Sequence, residues 1–257
     1  MLLAHLSDLH LDGTEYAAAR ARAAVDRVRA AGDAVDALLV TGDLADHGAE
    51  SEYEEVAAVL AGLPFPVLTC PGNHDERRAY RKVLRDGASG DGASGDGPVD
   101  ELRVLRRDGA PALAVLMCDS SIPGTSAGAL SAGTLAWIDT SLTALPDDVP
   151  AVLAFHHPPA RLHHPLPDRL RLTRPEDLAD LLARHPRVLA LLTGHAHTAA
   201  ATSFAGVALR SAPAVTYALR LAWEGEGHAD DTQPPGLAYH VLAPGERHLT
   251  THFRVAA

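Results

Sequence analysis

Leu38-Leu39-Val40-Thr41-Gly42-Asp43 decides the fold. A short apolar run of strand-forming residues ends abruptly at a glycine and a carboxylate. The same grammar recurs along the chain. Leu2-Leu3-Ala4-His5-Leu6 leads to Asp8-Leu9-His10, and Val67-Leu68-Thr69-Cys70-Pro71 leads to Gly72-Asn73-His74-Asp75. Val152-Leu153-Ala154-Phe155 leads to His156-His157-Pro158-Pro159, and Leu191-Leu192-Thr193 leads to Gly194-His195-Ala196-His197. Apolar runs of this length, bounded by turn formers, predict buried strands at 2–6, 37–41, 66–70, 112–118, 151–155 and 188–193. Between them, helical spacing predicts helices at 15–31, 51–62, 76–84, 131–145 and 175–185. Alternation of the two predicts an α/β fold. In open α/β sheets, sites form beyond the carboxyl ends of strands, so these motifs are expected at one edge.

The remainder of the chain is consistent with that frame. The 257 residues are read as one domain, 1–257. Hydrophobic residues are 47% and aromatic residues 4%, so the core is built from Leu, Val and Ala. The tail carries predicted strands at 207–211, 237–242 and 249–255 without long helices between them, which suggests a second, partly antiparallel sheet. Residues 87–97 nearly repeat a six-residue Gly/Ala/Ser/Asp unit and read as a flexible surface loop. Residues 224–236 read as another long loop. With 22 Lys and Arg against 33 Asp and Glu, the net charge of -11 disfavours a nucleic-acid polymer as partner. Cys70 and Cys118 lie in apolar runs and read as buried thiols. No signal segment or membrane span is recognisable, so a soluble, cytoplasmic protein is expected.

The motif residues have a common chemistry. Asp8 and Asp43 offer charged oxygen, Asn73 an amide oxygen, and His10, His156, His195 and His197 imidazole nitrogen. Mixed nitrogen and oxygen donors suit Mn, Fe, Zn or Co better than Ca or Mg. Seven donors exceed one tetrahedral site, and a bridging carboxylate would let them serve two ions. In an extended strand, Asp-x-His and His-x-His would point both side chains to one face. The glycines before Asp43, Asn73 and His195 would allow close approach or positive φ. Taken singly, Asp8 and Asp43 would be read as turn or cap residues, Asn73 as a turn residue, and His195 and His197 as a solvent-exposed pair.

Together, Asp-x-His, Gly-Asp, Gly-Asn-His-Asp, His-His-Pro-Pro and Gly-His-x-His resemble the calcineurin-like metallophosphoesterase superfamily. The order is most similar to its bacterial branch of cyclic-nucleotide and glycerophosphodiester phosphodiesterases. Thr41-Gly42-Asp43-Leu44-Ala45-Asp46, Leu135-Ala136-Trp137-Ile138, Ala212-Pro213-Ala214 and Pro234-Pro235-Gly236 fit that branch as well. The resemblance implies a two-sheet sandwich flanked by helices and two divalent ions. One ion would take Asp8, His10, Asp43 and His197. The other would take Asp43, Asn73, His156 and His195, with Asp43 shared. His156 is preferred to His157 because the first His is the ligand in related His-x-Pro motifs.

The resemblance also implies hydrolysis of a small phosphodiester, such as a 3′,5′-cyclic nucleotide like cAMP, by attack of a metal-bridging hydroxide. Two carboxylates and a hydroxide against two divalent ions leave one positive charge, which a phosphodiester anion matches. His74 would act as general acid, and Asp46 would pair with it. A glycerophosphodiester, or a broader range of phosphoesters, is the alternative substrate class. A non-enzymatic scaffold of the same fold would have lost ligands, and none is missing. His47 stands where protein phosphatases of the superfamily carry Arg, which speaks against that branch. A homodimer is allowed for. His5 is expected in the core or behind the site. His163 and His164 are expected on a surface loop, and His228, His240, His248 and His252 at the surface.

Overall fold

The computed structural model describes residues 1–85 and 97–256. Its first half alternates β1 (Leu2–Leu6), α1 (Glu15–Arg29), β2 (Ala37–Thr41), α2 (Glu50–Leu60), β3 (Val67–Cys70) and α3 (Arg77–Leu84). An antiparallel pair, β4 (Glu101–Arg107) and β5 (Ala110–Met117), follows. The chain then runs through α4 (Ala132–Ala144), β6 (Ala151–Ala154), α5 (Pro175–Arg184), β7 (Val188–Thr193), β8 (Ala200–Phe204) and β9 (Val207–Ser211). It ends with β10 (Ala218–Leu219), β11 (Ala229–Asp230), β12 (Gly236–Val241) and β13 (Thr250–Val255).

These strands form a five-stranded sheet, β13-β12-β1-β2-β3, and a six-stranded sheet, β4-β5-β6-β7-β9-β8. Strand side chains alternate between faces, and here both faces are covered. In β2, Leu39 and Ala37 face the other sheet, while Leu38 and Val40 face the helices. In β5, Val115 and Met117 face the other sheet, while Ala114 and Leu116 face the opposite helical layer. The core is therefore three layers of contact: α1 to α3 on the first sheet, sheet on sheet, and α4 with α5 on the second. This is the expected sandwich flanked by helices. Thr14 and Ser131 start α1 and α4 by accepting the Ala17 and Thr134 amides, caps worth about 1 kcal/mol each.

The expected helices and main strands are present, with ends shifted by a few residues. The tail is arranged differently. Rather than making a sheet of its own, β9 joins the six-stranded sheet parallel to β7, while β12 and β13 return to the first sheet. There β12 covers the free edge of β1 in antiparallel register. Within 224–236, β11 pairs with β10, so that stretch is not all loop. The 87–97 loop expectation falls outside the described residues, Gly97 excepted. Cys70 and Cys118 are buried free thiols. No helix among the described residues is long and apolar enough to cross a membrane.

Candidate metal centre

The five motifs meet where the carboxyl ends of β1, β2 and β3 adjoin those of β6 and β7. The first two ligand loops run side by side, held by Asp8 N to Gly42 O at 3.1 Å and His10 N to Asp43 O at 2.9 Å. Convergence does not come from strand alternation, as the i, i+2 spacing suggested. Asp8, His10, Asp43, His195 and His197 all lie beyond their strands in left-handed backbone, with φ of 55°, 45°, 48°, 65° and 51°. Such conformations cost about 1–3 kcal/mol each for residues with a Cβ and cluster at functional sites. Gly194 is needed because a Cβ there would collide with Ser7 Oγ and Asp8 Oδ2. At Gly72 a Cβ would run into Asp43.

The imidazoles are aimed by what their other nitrogens hold. His156 Nδ1 donates to Thr41 O at 2.8 Å, and His197 Nδ1 donates to Tyr217 O at 2.8 Å. His10 Nδ1 lies 2.7 Å from Asp46 Oδ1. Carbonyls and carboxylates only accept, so in the neutral rings all three Nε2 atoms present lone pairs. These lone pairs face one another and two carboxylates. His10 Nε2 is 3.3 Å from His197 Nε2 and 3.5 Å from Asp43 Oδ2. His156 Nε2 is 3.2 Å from Asp43 Oδ2, and His197 Nε2 is 3.3 Å from Asp8 Oδ1. Asp43 Oδ2 thus lies between the two histidine clusters, while Oδ1 accepts the His74 amide at 2.9 Å. His195 Nδ1 comes within 3.2 Å of His156 Nε2. The Asn73 Oδ1 and His195 Nε2 atoms are buried with no protein partner. Only positive charge relieves such an arrangement, so these residues fit divalent cations.

The protonation balance makes the same point. Burial opposes charge on His156, yet Asp43 and Asp8 outweigh it and raise its pKa to about 9. Burial also works against the ionised Asp8, but His197 and His156 bring it down to about 2. Asp43 is held well below the carboxylate range, with His156 the main partner against burial. His195 falls to about 3 through burial, reinforced by the neighbouring charge of His156. The pocket attracts positive charge to its carboxylates while keeping His195 neutral, as a metal-binding imidazole must be.

Among the remaining expected residues, Asp46 gains a partner and two histidines need correction. Asp46 was paired with His74 from the sequence. Its carboxylate lies 3.5 Å from His74 Nδ1, which also donates to the Asp46 carbonyl at 2.8 Å, and it engages a second and nearer partner, His10, at 2.7 Å. The hydrogen bond from His10 is the main cause of the lowered Asp46 pKa. His164 was expected at the surface and is buried, because its loop folds over the site. His240 was also expected at the surface and is fully buried, since its register against Leu3 turns it inward. His157 holds Ser120 Oγ at 2.8 Å through Nδ1, while its Nε2 is buried without a protein partner and its ring groups with His156 and His195.

Two residues escaped sequence reasoning. Asp75 accepts from the amides of Leu44, Ala45 and Gly72 and from the Tyr53 hydroxyl, clamping the loops of Asp43 and Asn73 together. It is the last residue of a motif already singled out. Tyr217 packs its ring 4.6 Å from His197, and no local pattern marked it. A cavity of about 130 Å³ opens over the centre, bounded by His10, Asn73, His74 and Tyr217 and by the apolar Leu166 and Leu219.

Comparison with known proteins bears on this geometry. A family model described as calcineurin-like phosphoesterase matches residues 1–199. A probable cyclic nucleotide phosphodiesterase from Rhodococcus erythropolis is 34% identical, covering 96% of this chain and 85% of its own. A glycerophosphodiester phosphodiesterase from Enterobacter lignolyticus is 28% identical, covering 93% of this chain and 86% of its own. A dimetal phosphatase from Danio rerio shares the fold, with a TM-score of 0.71 at 16% identity over 100% of this chain and 99% of its own. The chain belongs to the calcineurin-like phosphoesterase family.

Proposed function

We propose that the protein is a metal-dependent phosphodiesterase whose preferred substrate is a small phosphodiester, a 3′,5′-cyclic nucleotide such as cAMP. The observation that carries the metal dependence is the set of three buffered imidazoles turned on Asp8 and Asp43 across 3.2–3.5 Å. Asp8, His10, Asp43 and His197 would hold one divalent ion, and Asp43, Asn73, His156 and His195 a second. Mn, Fe, Zn and Co suit this donor set. When bound, the pair supplies a water acidic enough to attack at neutral pH and neutralises the phosphoryl oxygens.

The chain's own groups do the rest. Asp46 fixes the His10 ring by holding Nδ1. The Asp46 carbonyl holds His74 Nδ1, which leaves Nε2 as the nitrogen available to the leaving oxygen. His74 borders the cavity, and we assign it the proton or hydrogen bond that the leaving alkoxide requires. The small cavity and the net charge of -11 support a compact monoanion over a polymer. The relative from Rhodococcus erythropolis supports the cyclic-nucleotide reading, and that from Enterobacter lignolyticus supports a glycerophosphodiester as the second reading.

The test is turnover of cAMP, a glycerophosphodiester and bis(p-nitrophenyl) phosphate by protein reloaded with Mn(II) after chelation. Chelation should abolish all three activities, and cAMP should have the higher kcat/KM of the two natural diesters. Full activity after chelation sinks the metal dependence. A glycerophosphodiester turned over more efficiently than cAMP sinks the cyclic-nucleotide preference.

A further inference from the structure

We propose that His5 and His240 are positioning residues for the metal centre, the middle links of a one-directional hydrogen-bond chain from Thr251 to the carbonyl that holds His156. The proposal rests on the metal-centre reading above. His5, Thr41 and His240 are fully buried between the sheets, and among the described residues no carboxylate hydrogen-bonds or ion-pairs with either ring. The contacts form an unbroken line. Thr251 Oγ1 lies 2.8 Å from His240 Nδ1, and His240 Nε2 lies 3.1 Å from His5 Nδ1. His5 Nε2 lies 2.8 Å from Thr41 Oγ1, which lies 3.0 Å from Ser7 Oγ. Ser7 Oγ donates to Thr41 O at 2.8 Å, the oxygen that also accepts His156 Nδ1.

Counting donors gives the line its direction. A carbonyl only accepts, so the single Ser7 proton goes to Thr41 O. Ser7 Oγ must then accept from Thr41, which uses the one Thr41 hydroxyl proton. Thr41 Oγ1 therefore accepts from His5, so His5 carries its proton on Nε2. A neutral His5 then offers a lone pair at Nδ1, and His240 must donate from its own Nε2. That leaves His240 Nδ1 as acceptor, and Thr251 donates to it. Neutrality follows from burial without an anion: burial takes His5 down to about 3 and holds His240 well below its ordinary value.

The consequence lies at the far end. With Ser7 committed to Thr41 O, that carbonyl receives two donors, one of them His156 Nδ1. Ser7 thereby fixes the position of the carbonyl to which His156 Nδ1 donates, and with it the ring whose Nε2 faces Asp43. A flip of His5 would turn Thr41 and Ser7 away and loosen the His156 ring. His240 and Thr251 lie beyond the matched residues 1–199, so this line ties the last strands, β12 and β13, to the carbonyl behind His156.

The test combines protonation and affinity. In ¹⁵N-histidine-labelled protein, two-bond ¹H–¹⁵N spectra should show both imidazoles protonated at Nε2 and bare at Nδ1. His240→Leu should weaken zinc binding about tenfold, the lower end of the 10–100-fold range for groups supporting a metal ligand. His240→Gln, which can both donate and accept, should restore most of that affinity. An Nδ1–H tautomer on either ring, or unchanged zinc affinity in His240→Leu, overturns the proposal. Should His240→Leu not fold, Thr251→Val serves instead, because it removes the first donor from an edge strand. It should mix the His240 tautomers and lower zinc affinity, and no change in either result overturns the proposal. Wild-type protein that binds no zinc would strike the metal-centre reading, while the tautomers would still report on the chain.

Discussion

The two sheets contribute unlike chemistry to one centre. The five-stranded sheet brings all the oxygen donors, Asp8, Asp43 and Asn73, with His10 as its one imidazole donor. The six-stranded sheet brings only imidazoles, His156, His195 and His197. Carboxylate oxygen therefore resides on one side of the sandwich, and the other side offers only imidazole nitrogen. The first side should decide whether cations are held at all, and the second how many and how firmly.

The sharpest break of that comparison is Asp43→Ala against His195→Ala. The first should leave neither site, with activity at background, because Asp43 Oδ2 faces both histidine clusters. The second should keep about one ion per chain. Elemental analysis of both variants decides, and full metal in Asp43→Ala would end the shared-ligand assignment. Next in size is His74→Ala, on the acidic side but not a ligand. It should retain both ions and lose ~10²–10⁴-fold on cAMP, less on bis(p-nitrophenyl) phosphate, whose leaving group needs no proton. Equal losses on both substrates would reduce His74 to a phosphate-orienting group. The smallest effect belongs to Asp46→Asn. Since Asp46 aims His10, metal affinity should weaken ~10–100-fold with little change in kcat at saturating metal. A calorimetric titration with Mn(II) showing wild-type affinity would remove that role.

What could be read from the sequence, and what could not, follows the range of the interactions. Each ligand motif is local: an apolar strand, a glycine or turn, then the donor. The buried strands were legible because both their faces are apolar, as in Leu38, Leu39 and Val40. Strands β4 and β8 were not, because they are edge strands whose exposed residues, such as Arg103 and Thr202, carry no apolar run. The inward turn of His240 depends on its pairing opposite Leu3, a partner nothing nearby in the chain announces. The second, nearer partner of Asp46 was missed for a related reason. His74 belongs to a neighbouring motif, but the left-handed turn at His10 swings that ring onto the carboxylate.

The placement of β12 beside β1 also bears on how the molecule is made. Strand β1 pairs with β2 early in the chain and with β12 only near its far end, His5 lying opposite Ala238. Contacts so distant in sequence form slowly, and domains are synthesised from the N-terminus. A growing chain can therefore assemble β1, β2 and β3 with their helices while β1 still shows an open, apolar edge. That edge, lined by Leu2 and Ala4, is the surface on which a nascent chain is most exposed to pairing with its neighbours until β12 arrives. Closure is sealed where Met1 N donates to Leu242 O at 2.7 Å, tying the residue before β1 to the residue after β12.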